Sequence, residues 1–340
     1  MTAWAEQYRT GLLNAALVLS LVLLALLSLR IGAVSISTEE LINALFNADH
    51  SDQSLRHNII IEQLRLPRLL LAIVVGASLG VAGAALQGLL RNPLAEPGLL
   101  GVSSCASLGA VICLYFGLSA VSIWLLPVMA MVSAAAATLL LYWIVYRRGS
   151  ALALILSGIA LSSLASALTS LAINLAPNPT DVQDIVLWLL GSLNHRSFND
   201  LQLCLPFVVL GITLLLSSGS SLDALSLGET EASSLGIKLS RLQQRIILGT
   251  ALSVGACVAV TGAIGFVGLV VPHLLRRLVG YHPSRLLFSS ALGGALLLLA
   301  ADITLRLISA QQEIMLGVVT ALIGAPFFFM LVLQRRQEAL

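Results

Sequence analysis

The side chains in this chain that could do chemistry are few and scattered. Lys238 is its only lysine and follows Ile237 rather than glycine, so no G-x-x-x-x-G-K-[ST] loop is present to cradle phosphates. The chain therefore has no means of hydrolysing ATP by itself. Cys105, Cys113, Cys204 and Cys257 lie in or beside apolar runs without C-x-x-C spacing, which indicates small packing residues rather than a disulfide framework or a zinc site. There is no H-E-x-x-H, no G-x-S-G and no facing pair of intramembrane aspartates, so an intramembrane protease would lack both metal and nucleophile. His273, directly after Pro272, reads as a helix-end hydrogen-bonding residue rather than a metal ligand. Three polar features remain. They are Arg65-Leu66-Pro67-Arg68, the pair Asp302 and Arg306 one helical turn apart, and the run from Gln87 to Gly101, where Pro93 and Pro97 force a sharp break between apolar stretches.

The elements that position these residues are membrane helices. The 340 residues are 58% hydrophobic and 10% charged, with a mean hydropathy of +0.98, against roughly a quarter charged in a soluble domain. A net charge of +2 from 18 basic and 16 acidic residues leaves nothing that resembles a nucleic-acid surface. Ten apolar runs are expected to span, near 11–31, 64–90, 97–116, 120–146, 151–175, 200–218, 243–262, 266–280, 285–308 and 314–334. The first is longer than a signal-peptide core and has no A-x-A site after it, so it reads as a retained span. Pro177-Asn178-Pro179 followed by Asp181 predicts a short helix over about 180–191 at a membrane face. With the N-terminus inside, 12 of the 18 basic residues fall in cytoplasmic segments, which favours both termini inside. Arg65-Leu-Pro-Arg68 and Arg241-Leu-Gln-Gln-Arg245 open two similar helices that would run oppositely, as an inverted repeat requires. Gly76, Gly80, Ala84 and Gly88 form a small-residue stripe for close helix packing.

Five motifs in order resemble the FecCD permease family, which imports vitamin B12, iron-siderophores and haem. They are R-L-P-R at 65–68, N-P-L-A-E-P at 92–97, L-S-L-G-E at 225–229 continuing to Leu235-Gly236, the run from Gly262 to His273, and G-V-V-T at 317–320 with G-A-P-F at 324–327. The likeness extends from Arg65 to about Phe329. It implies an all-α membrane protein of about ten transmembrane helices, a BtuC-like type II ABC importer permease with an inverted repeat, the whole of 1–340 being one permease domain. It also implies partners: two copies of a cytoplasmic ATPase subunit, which would hold the ATP and Mg, a periplasmic substrate-binding protein, a second permease copy and membrane lipid. The expected location is the bacterial inner membrane. No cofactor or metal is expected on this chain.

By the same resemblance Arg65, Arg68 and Arg306 dock the binding protein, since rim charges steer encounter and fix register. The residues alone leave two other readings open: Arg65 and Arg68 as anchors of a helix end, and Arg306 as a local partner of Asp302. The loop of about 219–240 would seat in the ATPase as a pair of coupling helices, using Asp223, Leu225, Ser226, Leu227, Gly228, Glu229, Ala232, Leu235 and Gly236. Asn92, Leu94 and Ser150 match the cytoplasmic gate. Met315 stands where the family has the proline of E-L-P-[VI]-G, so the last span is expected to begin earlier, with Met315 on the substrate pathway or simply packed. His195, in Gly191-Ser-Leu-Asn-His-Arg-Ser-Phe198, would be the pathway residue for a haem cargo and is otherwise a solvated loop histidine. The W-L-L-G-S-L-N run at 188–194 is closest to iron-siderophore permeases, which puts an iron(III)-siderophore first and haem or B12 second. An ion-coupled secondary transporter would need buried titratable groups near the midplane, with Asp302 the main acidic candidate.

Overall fold

A computed structural model of the chain describes residues 2–32, 34, 37, 59–148, 151–308 and 314–338. These residues form thirteen α-helices, with one π-helical and two 3-10 turns among them and no strand. In chain order they are α1 (Thr2–Arg30), a π-turn at Ile60–Arg65, α2 (Leu66–Leu89), a 3-10 turn at Pro97–Leu100, α3 (Val102–Tyr115), a second 3-10 turn at Leu118–Ala120, α4 (Leu125–Arg148) and α5 (Ala151–Asn174). Then come α6 (Pro179–Leu189), α7 (Phe198–Leu216), α8 (Gly219–Ser226), α9 (Glu229–Ser234), α10 (Leu239–Thr261), α11 (Val267–Arg276), α12 (Pro283–Ile308) and α13 (Leu316–Glu338). Of the ten expected spans, seven are helices long and apolar enough to cross a membrane, and the other three, in α3, α11 and α13, are shorter apolar helices.

The ends of these helices follow their sequence. Pro179 at the first position of α6 and Asp181 in its first turn start that helix where the Pro-Asn-Pro break predicts it. The Ser197 N–H donates to Asp200 Oδ2 at 2.8 Å, one half of a capping box at the start of α7. α11 is only ten residues long, about 15 Å of helix, because the chain from Gly262 to Phe266 is non-helical and both of those residues have positive φ. The expectation that the last span begins before Met315 is corrected. α13 starts at Leu316, because the Gly317 N–H donates to the Gly191 carbonyl at 3.2 Å and that tie fixes where the helix can begin.

Burial sorts the helices into a centre and a rim. The most apolar window is 78% buried in α2 and α10 and 67% in α12, but only 17% in α1 and α5. α2 and α12 are the most closely packed pair, and the small-residue stripe is the reason. A Cβ on Gly76 would overlap the Gly294 carbonyl, and one on Gly80 would overlap the Ser290 carbonyl, so the two backbones meet directly. The two halves also break alike. The chain after α2 packs its Leu99 carbonyl on Gly158 of α5, and the chain after α10 packs the Phe266 ring on Gly324 of α13. This is the internal correspondence that a repeat produces.

Gly80→Ala is expected to lower the thermal midpoint in detergent by several degrees, an overpacking cost of about 1–3 kcal/mol. Gly11→Ala, where an added Cβ meets nothing within 4 Å, should not lower it, since alanine is also the better helix former. Equal melts for the two variants would mean that α2 and α12 are not in backbone contact.

Candidate functional site

Three regions gather the polar residues singled out in the sequence. The first lies where α1 ends beside the start of α2 and the end of α12. Asp302 is wholly buried and holds two guanidinium groups. Arg68 donates Nε and Nη2 to its Oδ1 at 2.8 and 2.7 Å, and Arg306 Nη2 lies 2.8 Å from its Oδ2, one turn along α12. Arg306 also donates to the Ser28 and Ile31 carbonyls at 2.9 Å each and to the Ser28 hydroxyl. Arg65 donates to the carbonyls of Leu29 at 2.5 Å, Arg30 at 3.0 Å and Val34. The last carbonyls of α1 have no intrahelical partners, and two arginines supply them.

The sequence reading put all three arginines on a docking rim; in this structure their guanidinium groups are turned inward. Arg65 is 6% exposed, and the side chains of Arg306 and Arg68 are 9% and 18% exposed. The anchoring of a helix end and the Arg306–Asp302 pair are both present as contacts. The reason is the cost of leaving helix-end carbonyls and a carboxylate unpaired in an apolar bundle.

The second region is the α8–α9 hairpin. Gly228, at φ 135°, separates the two short helices. Leu222, Leu225 and Ala232 point inward and are buried, so the predicted contacts Leu225 and Ala232 anchor the hairpin to its own chain. Ser226 donates its hydroxyl to the Asp223 carbonyl at 2.6 Å. Asp223 Oδ1 accepts from the Ser284 N–H of α12 at 2.9 Å. The outward surface carries Leu227 and Leu235, 67% and 64% exposed, with exposed Glu229 and Glu231 and, at the end, Gly236. Two large apolar side chains framed by carboxylates thus stand exposed on this short hairpin.

The third region is the break between α2 and α3. Asn92 Oδ1 accepts from the Leu94 N–H at 3.0 Å and its carbonyl from Ala95 at 3.1 Å, so Asn92 holds the turn that presents Leu94. Ser150, the third expected gate residue, lies outside the described residues. Glu96 is half-buried and accepts from the Phe266 N–H; burial pushes its carboxyl above the ordinary carboxylate range, and that hydrogen bond offsets part of the rise. Gln87 joins the break to α11, donating to the Gly268 and Leu269 carbonyls at 3.2 and 3.4 Å and accepting from Arg276 Nη2 at 2.5 Å.

His195 is exposed in a loop at φ 56°, and Met315 is buried, packed rather than open to a channel. His273 meets Phe327 edge-on at 5.8 Å. The four cysteines are buried, and among the described residues no three His, Cys, Asp or Glu side chains converge. The Arg68–Asp302 pair and the Asp223 cap had no sequence signal, since their partners lie 234 and 61 residues apart.

A bundle of helices long and apolar enough to cross a membrane is the build of a multi-pass membrane protein. The model of the FecCD transport family matches residues 20–334. Over 299 residues the chain is 44% identical to the vitamin B12 import system permease protein BtuC of Vibrio cholerae, covering 88% of this chain and 90% of that one. It is 39% identical over 328 residues to the Fe(3+)-citrate import system permease protein YfmE of Bacillus subtilis, covering 96% of each. A solved structure described as an inward-facing conformation of a metal-chelate type ABC transporter matches with a TM-score of 0.84 at 36% identity, over 95% of this chain and 99% of that one. The chain belongs to the FecCD transport family and is an ABC importer permease.

Asp302→Asn should destabilise the folded permease by about 3 kcal/mol, because it leaves two guanidinium groups without their counter-charge; an unchanged melt in detergent would show that the network holds nothing together. For Glu96, a raised folded-state pKa means that stability is fully present below the unfolded value and declines as pH rises through the folded one. Glu96→Gln should therefore flatten the fall in thermal midpoint as pH rises above the ordinary carboxylate range, and a profile unchanged from wild type would exclude Glu96 as its source.

Proposed function

We propose that this permease carries an iron(III)-siderophore across the bacterial inner membrane, with ATP hydrolysed on Mg by a separate cytoplasmic ATPase subunit and no catalytic site of its own. Two permease copies, as a homodimer or with a related chain, enclose the pathway, two ATPase copies sit beneath them, and a periplasmic binding protein delivers the cargo. Both chain termini are cytoplasmic. The observation that supports this reading is the α8–α9 hairpin, whose Leu227 and Leu235 are largely exposed among the described residues and suit a cleft on the ATPase.

The iron-chelate cargo is supported by the ferric-citrate relative and by the metal-chelate description of the structural match. Haem or vitamin B12 is the second reading, favoured by the 44% identity to a B12 permease. An ion-coupled mechanism gains no support, because Asp302, the acidic group it would need, already serves two arginines. Binding-protein docking belongs to the end of the bundle that holds Arg65, Arg68 and Arg306. Arg68 is the member with most surface to offer, while Arg65 acts through the α1 end that it holds. Asn92, Leu94 and Ser150 are assigned to the cytoplasmic gate, with Asn92 setting the turn. A pathway role falls to His195 rather than to buried Met315.

The test is uptake into proteoliposomes with the cognate ATPase and binding protein, offering ferric siderophore, haem and B12 side by side. ATP-dependent uptake of the siderophore alone supports the assignment, and uptake of either other cargo replaces it. In the same system Leu227→Asp combined with Leu235→Asp should reduce ATPase co-purification at least tenfold with the permease melt unchanged. Full retention of the ATPase would move the interface away from the hairpin.

A further inference from the structure

The carboxylate of Asp223 lies on the expected ATPase-facing hairpin, yet it is spent inside the chain. Its Oδ1 takes the Ser284 N–H at 2.9 Å, and Ser284 stands in the first turn of α12. The first N–H groups of a helix have no intrahelical acceptor, and a carboxylate is the best cap for them because its charge also meets the positive end of the helix dipole. Here the cap comes from another element. Gly219 makes room for it, since a Cβ there would already lie 3.1 Å from the Ser284 Cα. On its other side α8 places buried Leu222 against Gly88 at the end of α2, 3.2 Å from where a Cβ would be. α8 is thus fastened to the start of α12 and the end of α2 together.

These two helices are in direct backbone contact. Backbone meets backbone at Gly76 with Gly294 and at Gly80 with Ser290, so the interface is packed too closely to leave slack between them. At their far end Arg68 of α2 and Arg306 of α12 share Asp302, and Arg306 reaches on to the end of α1. The helix between Ser284 and Asp302 spans about 27 Å.

We propose that α2 and α12 act as one rod, bolted to the coupling hairpin by the Asp223 cap, which carries the ATPase-driven displacement of α8 to the arginine–aspartate network at the opposite end. This rests on the reading of 219–240 as the ATPase contact. Asp223 is then a positioning residue that works through the Ser284 N–H. By linkage, a binding protein that biases the arginine network biases the hairpin by the same free energy.

The experiment uses the permease co-purified with its ATPase in nanodiscs, carrying a spin label at Leu307→Cys. Leu307 is 63% exposed, and the native cysteines are buried, so the label is selective. ATP with vanadate should change the label's mobility relative to the nucleotide-free complex. Ser284→Pro deletes the N–H at a helix position that tolerates proline and should cut that response at least threefold. Ser284→Ala, which keeps the N–H, should retain it. If Ser284→Pro fails to fold, Asp223→Ala against Asp223→Asn makes the same comparison, because asparagine keeps an acceptor oxygen. A full response in Ser284→Pro, or no response in wild type with ATPase bound and hydrolysing, overturns the rod and leaves the coupling assignment standing. Failure of wild-type permease to retain ATPase overturns the coupling assignment, and the proposal with it.

Discussion

The contact between α2 and α12 is the constraint on which the other features depend. Inside a bilayer, burying apolar side chains gains little, because lipid tails are as apolar as leucine. Association must come from close backbone approach and from polar groups that have no better partner. Glycines at 76, 80 and 294 supply the first, and Asp302 with Arg68 and Arg306 supplies the second. The two act in series, since Arg68 can reach Asp302 only if the helices are already packed to glycine distance. Were α2 and α12 held apart by side chains, the carboxylate would be left with Arg306 alone.

That polar cluster answers a second need. A helix ending in an apolar bundle leaves carbonyls that neither lipid nor leucine can satisfy. Arg65 and Arg306 take the terminal carbonyls of α1, and the peripheral helix is thereby pinned to the central pair at its end. The same residues serve structure and, on the proposed function, docking. On that reading a binding protein would meet the partly exposed Arg68 and the α1 end, both held in place by the buried network rather than free to adapt. Such preorganisation favours register over affinity.

Much of this was legible in the sequence, for reasons that also explain what was not. Apolar runs of about 20 residues announce spans because hydrocarbon thickness sets their length, and all ten expected runs are helical. The two-part hairpin was readable because only glycine sits easily at the φ of 135° found at Gly228. The inward turn of the arginines was not, since Arg68 and Asp302 are 234 residues apart and a local rule sees only the i, i+4 pair with Arg306. The start of α13 is not legible in the sequence, because a backbone tie to Gly191 sets it and no local signal encodes that tie. Ser150 lies outside the described residues, so of the three residues expected at the gate only Asn92 and Leu94 are described.

Cargo is the least legible property, and the physics of passage gives the reason. A chelate that is to cross and leave must not be held tightly, so the pathway does not need the convergent polar groups that betray a binding site. Met315 is packed and His195 lies exposed in a loop, and neither forms part of a cage. On the proposed function, discrimination belongs to the protein that delivers the cargo, while the permease supplies a docking face and a passage. The strongest interactions in the chain are accordingly spent on holding helices at fixed distances, in the α2–α12 contact, the Asp302 network and the Asp223 cap.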